Sequence, residues 1–489
     1  MRARQIVYGI GLAGLLLLGA CDLAGSPSAP GSGGAPGAGA TPGGVQDMGF
    51  ARELIANGQV PPAEAFVVEG MFSEHDLPLE GDPCTQLLCL RGALGVAPTL
   101  EGDPSAWLQI GLSSALNLDT YARPSLSLVF TVDISGSMDW EYTTPYNEYQ
   151  TPLKVAKAQL ERLIPTLTAE DEVAIVTYGS SAQTVLGWTS GTEQETLFAA
   201  VRGLKSEGST NMEAGLETAY RTVQQAKTDN ARRVLLFTDV QPNVGATEAT
   251  EFERLVSGAA DEEIGLTVFG VGLGLGPEVF DAMSQARGGN AFSLFGSRDV
   301  TRIMENDWPY LASPLAYDLR VSLTPQAPLE VAEGYGFPTT DNEASLETST
   351  VFLSKRRGAL LVRLIPAGES KTLAVGGTLS YETLEGERVE DMLAASFKPD
   401  PDARGHAFEQ PSVGKTVALA LLVSGMKNAA ETYAEEQTRG AEKMQEVVTR
   451  FTADAEALGD ASFEGEVALA EELLELMEAG APQGTLYGD

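Results

Sequence analysis

The chain has 489 residues, more than one ordinary core accommodates, which predicts two to four domains. Its 32 basic and 68 acidic residues give a formal charge of −36, with the acids spread along the whole length. Such a surface repels phosphate backbones, which argues against nucleic acid as a partner and favours basic partners and divalent cations.

The N-terminal stretch "MRARQIVYGIGLAGLLLLGAC" has Arg2 and Arg4, an apolar core from Ile6 to Leu18, and small residues before Cys21. That apolar run is too short for an ordinary transmembrane helix and has the anatomy of a secretory signal. Leu18-Gly19-Ala20-Cys21 resembles the lipobox of bacterial lipoproteins. The resemblance implies a signal peptide over 1–21, lipidation of Cys21, and a place in the bacterial cell envelope on a periplasmic face or the cell surface. Acyl chains on one residue would hold an otherwise soluble chain on a membrane. Asp22 resembles an inner-membrane retention signal of some bacteria. Residues 22–45 are mostly Gly, Ala, Pro and Ser, a composition that reads as a flexible tether.

Residues 46–123 form a leader region. "ARELIANGQVPPAEAFVVEGMF" predicts a short helix, a Pro-Pro break and a second short element, and "AWLQIGL" predicts a strand. Between them lies "CTQLLC". Outside the cytoplasm, the isolated pair Cys84 and Cys89 predicts a small-loop disulfide. Zinc is the alternative, but it needs two further ligands and the chain offers only His75 and His406.

From 124 to 311, apolar strands alternate with amphipathic helices. "LSLVFTVD", "DEVAIVTY", "RRVLLFTD", "IGLTVFGVG" and "NAFSLF" read as strands, with "AQTVLGW" as an edge partner. Helical spacing runs through "LKVAKAQLERLI", "TEQETLFAAVRGL", "NMEAGLETAYRTVQQA", "TEATEFERLVSGAA", "PEVFDAMSQAR" and "SRDVTRIMENDWPYL". This alternation predicts an α/β fold, a doubly wound and mostly parallel sheet covered on both faces. A β-rich flanking domain of antiparallel character follows over 312–412, then a helical segment over 413–489 that can pack as a hairpin or bundle.

In a doubly wound sheet, ligands bind beyond the carboxyl ends of the strands. The first strand ends there in "VDISGSMD", with Asp133, Ser135 and Ser137. "SEGSTNMEAGL" puts Thr210 just before a helix, and "RRVLLFTD" ends in Asp239. Two carboxylates and three hydroxyls from three distant segments thus converge on one rim. An oxygen-only donor set of this kind suits a hard cation, Mg2+ first, with Mn2+ or Ca2+ as alternatives. Alternate residues of an extended turn point the same way, so Ser135 and Ser137 can both face the ion. Asp133 and Asp239 then stand behind, holding hydroxyls and waters. An ion with so little direct negative charge accepts a carboxylate from a partner.

Nucleophilic chemistry is poorly served. A serine nucleophile needs an activating base, neither histidine lies in the α/β segment, and Asp133 stands where an elbow motif requires Gly. "GVGLGLG" fails the spacing of a dinucleotide loop and closes a late strand.

"DISGSM", "GSTNMEAGL" and "LLFTDVQPNVG" resemble the three ion-site segments of von Willebrand factor type A domains. Asp133, Ser135, Ser137, Thr210 and Asp239 fall one by one on that family's metal-ion-dependent adhesion site. The resemblance covers about 124–311 and extends more weakly to bacterial surface lipoproteins through "GQVPPAEAFVVEGMF" and the β-rich flank. Two departures stand out. Val240 occupies a position where family members commonly have Gly. The run "DWEYTTPYNEYQTP" is longer and more aromatic than usual, so Trp140, Tyr142, Tyr146 and Tyr149 are candidate partner contacts, each able to pack locally instead, and Asp139 is a further candidate that reads first as a solvated loop residue.

Two functions follow as expectations, neither of them enzymatic. One is a membrane-anchored, cation-dependent module for adhesion or envelope assembly that binds a protein ligand through its carboxylate. The other is a structural envelope scaffold that uses its flanking domains, the ion only bracing the loops. The oligomeric state is not legible in the sequence.

Overall fold

A computed structural model describes residues 38–144, 146–273, 276–326, 329–337, 345–366, 372–400 and 405–484. The expected signal peptide, Cys21 and the first part of the tether lie outside them.

Two sheets organise the chain. The first has seven strands in the order Gly44–Val45, Gly289–Leu294, Ile264–Val271, Ala231–Thr238, Leu126–Asp133, Glu172–Tyr178, Ala182–Ser190. Every pair is parallel except the last, where Ala182–Ser190 runs antiparallel at the edge. Apolar residues fill the central strands because both faces are covered. Along Leu126–Asp133, Leu128, Phe130 and Val132 enter one core with helices Pro152–Leu163 and Gln194–Gly203. Val129 points the other way, towards Met212–Val223, Ala249–Ala260 and Pro277–Ser284. Chain order reverses across the pair Leu126–Asp133 and Ala231–Thr238, so the crevice expected of a doubly wound sheet opens between their carboxyl ends.

The second sheet is antiparallel and ten-stranded, and it corrects the expected boundaries. It takes Cys89–Pro98 and Pro104–Ser114 from the leader and seven strands from the β-rich flank. Its tenth strand is Ala38–Pro42, from within the run read as a tether. This strand lies fully buried between Pro104–Ser114 and Ser345–Ser354, and Gly44–Val45 then joins the other sheet. The small residues serve close approach: a Cβ on Gly39 would sit 1.9 Å from the Arg356 carbonyl oxygen. Composition that reads as a tether is here the composition that lets a strand pass between crowded neighbours.

The leader's polar residues clamp it to both halves. Buried Asp47 accepts from the Ser293 N–H and from Arg302, each at 3.0 Å. Arg52 bridges Glu74 at 2.7 Å and Glu466 at 2.8 Å. Glu466 belongs to the last of three C-terminal helices, Pro411–Glu435, Gln437–Leu458 and Glu464–Glu478, which pack in sequence. The first is buried on most sides, against Val68–Glu74 and the leader strands. Among the described residues, no helix is long and apolar enough to cross a membrane.

Cys84 and Cys89 form a disulfide. His75 is buried and engaged with Glu466 at 3.2 Å, so the zinc alternative loses its nearest extra ligand.

Candidate functional site

Asp133 is the last residue of its strand and is fully buried beside Tyr178, its register partner on the neighbouring strand. Two donors fix its carboxylate. The Ser135 N–H donates to Oδ1 at 2.8 Å, and the Thr238 hydroxyl donates to Oδ2 at 3.0 Å. The chain turns at Ser135 into a short 3-10 segment, Gly136–Asp139, which brings the Ser135 and Ser137 hydroxyl oxygens to 3.1 Å.

The loop carrying Thr210 is pinned onto this turn. Gly136 N–H donates to the Gly208 carbonyl at 3.0 Å, and the Ser206 hydroxyl to the Ser135 carbonyl at 2.7 Å. Asn243 clamps Thr210 itself. Its Oδ1 accepts from the Thr210 N–H at 3.0 Å, its Nδ2 donates to Oγ1 at 3.4 Å, and its N–H donates to the Thr210 carbonyl at 3.1 Å. The loop after Asp239 therefore positions the loop before helix Met212–Val223. That helix sits close because Gly215 lies against the Tyr178 ring, where a Cβ would approach to 2.4 Å.

Asp239 is almost wholly buried, and its Oδ1 finds no hydrogen-bond partner among the described residues. Burial and then the nearby Asp133 charge push its pKa up to about 7, against a hydrogen bond from Ser137. Burial likewise raises Asp133 to about 6, opposed by the donors Ser135 and Thr238. Two buried carboxylates this close cannot both ionise comfortably without a compensating positive charge. An orphaned carboxylate oxygen, a paired carboxylate and neighbouring hydroxyls form a donor set that fits a hard divalent cation. Among the described residues there is no group of three or more His, Cys, Asp or Glu placed so as to hold a metal ion.

Val240 has φ of 53°, a left-handed conformation rare for a β-branched residue. Its N–H is held by the Thr238 hydroxyl at 3.0 Å, and its buried side chain belongs to the core. The substitution for Gly is therefore tolerated in the conformation Gly would favour, under strain.

The aromatic loop forms a two-stranded hairpin, Tyr142–Thr143 with Tyr149–Gln150. Trp140, Tyr146 and Tyr149 are 55%, 56% and 59% exposed, and Asp139 is exposed too. Of the two readings left open for Tyr142 the structure shows the local one: it is half-buried, packs on the core and donates its hydroxyl to the Phe295 carbonyl at 2.7 Å. Glu148 anchors the hairpin by accepting from the Ser297 N–H at 3.0 Å, and Arg298 stacks on Tyr146. His75 and His406 contact Glu466 and Arg450 respectively, and neither is a partner of the site serines. Thr238, Asn243 and Tyr178 were not anticipated. A threonine next to Asp239 and an Asn three residues beyond Val240 are the signals that could have found two of them.

Residues 128–241 match the sequence profile of the von Willebrand factor type A domain. The uncharacterized protein YfbK of Escherichia coli (strain K12) is 30% identical over 227 residues, 45% of this chain and 38% of that one. Inter-alpha-trypsin inhibitor heavy chain H1 of Mesocricetus auratus is 25% identical over 218 residues, 43% of this chain and 23% of that one. The matches thus span less than two fifths of either relative's own length. Among solved structures, a von Willebrand factor type A protein from Catenulispora acidiphila aligns with a TM-score of 0.47 and 13% identity, over 81% of this chain and 96% of that one. Residues 128–241 are thus similar to a von Willebrand factor type A domain, and the parallel sheet they help build joins a strand-rich and helical body.

Proposed function

We propose that the von Willebrand factor type A domain of this chain makes it a divalent-cation-dependent protein-binding module of the bacterial envelope. Domains of this type mediate protein–protein interaction, often through a metal. The observation that carries the reading is the Asp239 Oδ1 atom, buried and without a donor among the described residues, beside the buried Asp133 carboxylate at the reversal of strand order. Ser135, Ser137 and Thr210 would hold the ion directly, with Asp133 and Asp239 behind them. Thr238 and Asn243 orient that set through the bonds described above. Mg2+ is the cation proposed first, since hydroxyl and carboxylate oxygens suit it and it commonly keeps some waters. When bound, the ion supplies an electrophilic position for a partner's acidic side chain. Trp140, just before the adjoining hairpin, and Tyr146 and Tyr149 on it stand exposed and would frame that contact. Attachment to a membrane through Cys21 is part of the proposal and rests on the sequence alone.

The test is capture of envelope proteins by the whole chain with Mg2+, with EDTA, and with Asp133→Ala. Capture that needs Mg2+ and Asp133 is expected, and capture indifferent to both would sink the reading. The scaffold alternative cannot be examined by deleting 313–489, because those residues share a sheet with Ala38–Pro42 and the leader strands. Substitutions on the exposed flank are the suitable comparison.

A further inference from the structure

The strands that end at the ion-site rim begin, about one sheet-length away, at a different cavity. Leu126, Ala231 and Ile264, the first residues of three neighbouring strands, open onto a space of ≈ 670 Å³ between the α/β half and the antiparallel sheet. That volume is in the range of small-molecule sites. Tyr121, Pro124, Tyr317 and Leu384 give it apolar walls.

Arg233 lines this cavity and is only 4% exposed. Its Nη1 donates to the Thr267 hydroxyl at 2.8 Å and reaches Asn290 Oδ1 at 3.5 Å. Thr267 and Asn290 are themselves linked at 2.8 Å, and Asn290 donates to the Leu311 carbonyl at 2.9 Å. The guanidinium lies over Gly265, where a Cβ would come within 2.7 Å of Nη2. The Phe352 ring is 5.6 Å away. Among the described residues, no carboxylate comes within ion-pair distance of Arg233, although seventeen other ion-pair contacts are present, so this buried charge is the exception. Burial lowers its pKa to about 10. A buried cation held by neutral groups alone is costly, and sites of that kind are characteristically completed by an anion.

The other charges of the cavity restrict that anion. Arg287 is already paired with Asp318 and Glu382, and Arg232 donates to the Glu262 carbonyl. Asp229, Glu263 and Glu385 stand on the same walls and repel a multiply charged ligand. One negative charge on an apolar body meets both conditions, and a guanidinium fork matches a carboxylate.

We infer that this cavity is a second binding site, for a monocarboxylate with an apolar or aromatic body, held by Arg233 at the end of the sheet opposite the ion site. The carboxylate can come from a free small acid or from the carboxyl end of a peptide. Titration of the whole chain with benzoate and with N-acetylphenylalanine separates these sources, with benzamide and inorganic phosphate as controls. At least one of the two acids should bind saturably in the millimolar range expected of so small a probe. Benzamide should bind at least about tenfold more weakly and phosphate should not occupy the site, as expected if the single charge is what is recognised. Arg233→Met should abolish the binding while leaving the melting temperature unchanged or higher, because it removes an unpaired buried charge. Leu384→Trp, at a residue 49% exposed on the cavity wall, should block binding without touching Arg233. EDTA should leave acid binding unchanged, which separates this site from the proposed ion site. Failure of both acids to saturate, equal binding to Arg233→Met, or equal binding of phosphate would each overturn the proposal.

Discussion

Asp239→Asn probes the buried carboxylate pair directly. The substitution keeps shape and removes one of two like charges held in a dry crevice. In the metal-free chain the native state retains protons on Asp133 and Asp239 up to about pH 6 and about pH 7, whereas the unfolded chain releases them near pH 4. Between those limits the native state binds more protons, so stability falls as pH rises from about 4 to about 7 and stays at its lowest above that. One pKa unit corresponds to about 1.4 kcal/mol, and Asp239 is raised by about three units. Removing its charge should therefore stabilise the metal-free chain at pH 8 by about 2–4 kcal/mol, with relief of Asp133 included because the pair titrates together. The assay is urea unfolding of wild type and variant in EDTA at pH 5 and pH 8. Wild type should lose stability between the two, and the variant should lose less. Excess Mg2+ should stabilise wild type at pH 8 and do little for the variant. A variant less stable than wild type at pH 8 without metal, or a wild type with no decline relative to it, would refute the account of the site as an uncompensated acidic pair.

Two further expectations concern neighbouring features. Val240→Gly relieves left-handed strain of about 1–3 kcal/mol, but it empties a buried position at about 2–3 kcal/mol and frees the unfolded backbone by about 0.5–1 kcal/mol. Packing should win, leaving the variant about 1 kcal/mol less stable by urea unfolding, and a clear gain would show that the strain outweighs the packing. Removing residues 1–37 should leave one cooperative transition. Removing 1–42 also takes out Ala38–Pro42 and its ladder to Pro104–Ser114 and Ser345–Ser354, each lost bond costing about 1 kcal/mol, and should destroy cooperative unfolding. Equal stability of the two truncations would contradict the strand assignment.

What could be read in advance follows from the range of the interactions involved. The α/β strands were legible because burial on both faces writes a continuous apolar run, as in "LSLVFTVD". The convergence of Asp133, Ser135, Ser137, Thr210 and Asp239 was legible because a parallel sheet aligns its carboxyl ends. Residues 38–45 were not legible, since their partners (Pro104–Ser114, Asn290–Ala291 and Ser345–Ser354) are all distant in sequence and their Gly, Ala and Pro content matches that of a tether. The leader's two short helices and the strand through "AWLQIGL" were legible locally, but its docking was not, because the ionic clamp to Arg302 and Glu466 exists only in three dimensions. The inward turn of Tyr142 depends on the Phe295 carbonyl, which no local pattern announces. Nor does any pattern mark Arg233, which looks like an ordinary strand-start arginine until it is seen to have no carboxylate partner among the described residues.

The most direct measurement of the central claim is calorimetric titration of Mg2+ into the metal-free whole chain at pH 8. A single saturable site is predicted, lost in Asp133→Ala and intact in Arg233→Met. Absence of a saturable site, or equal binding by Asp133→Ala, would contradict it.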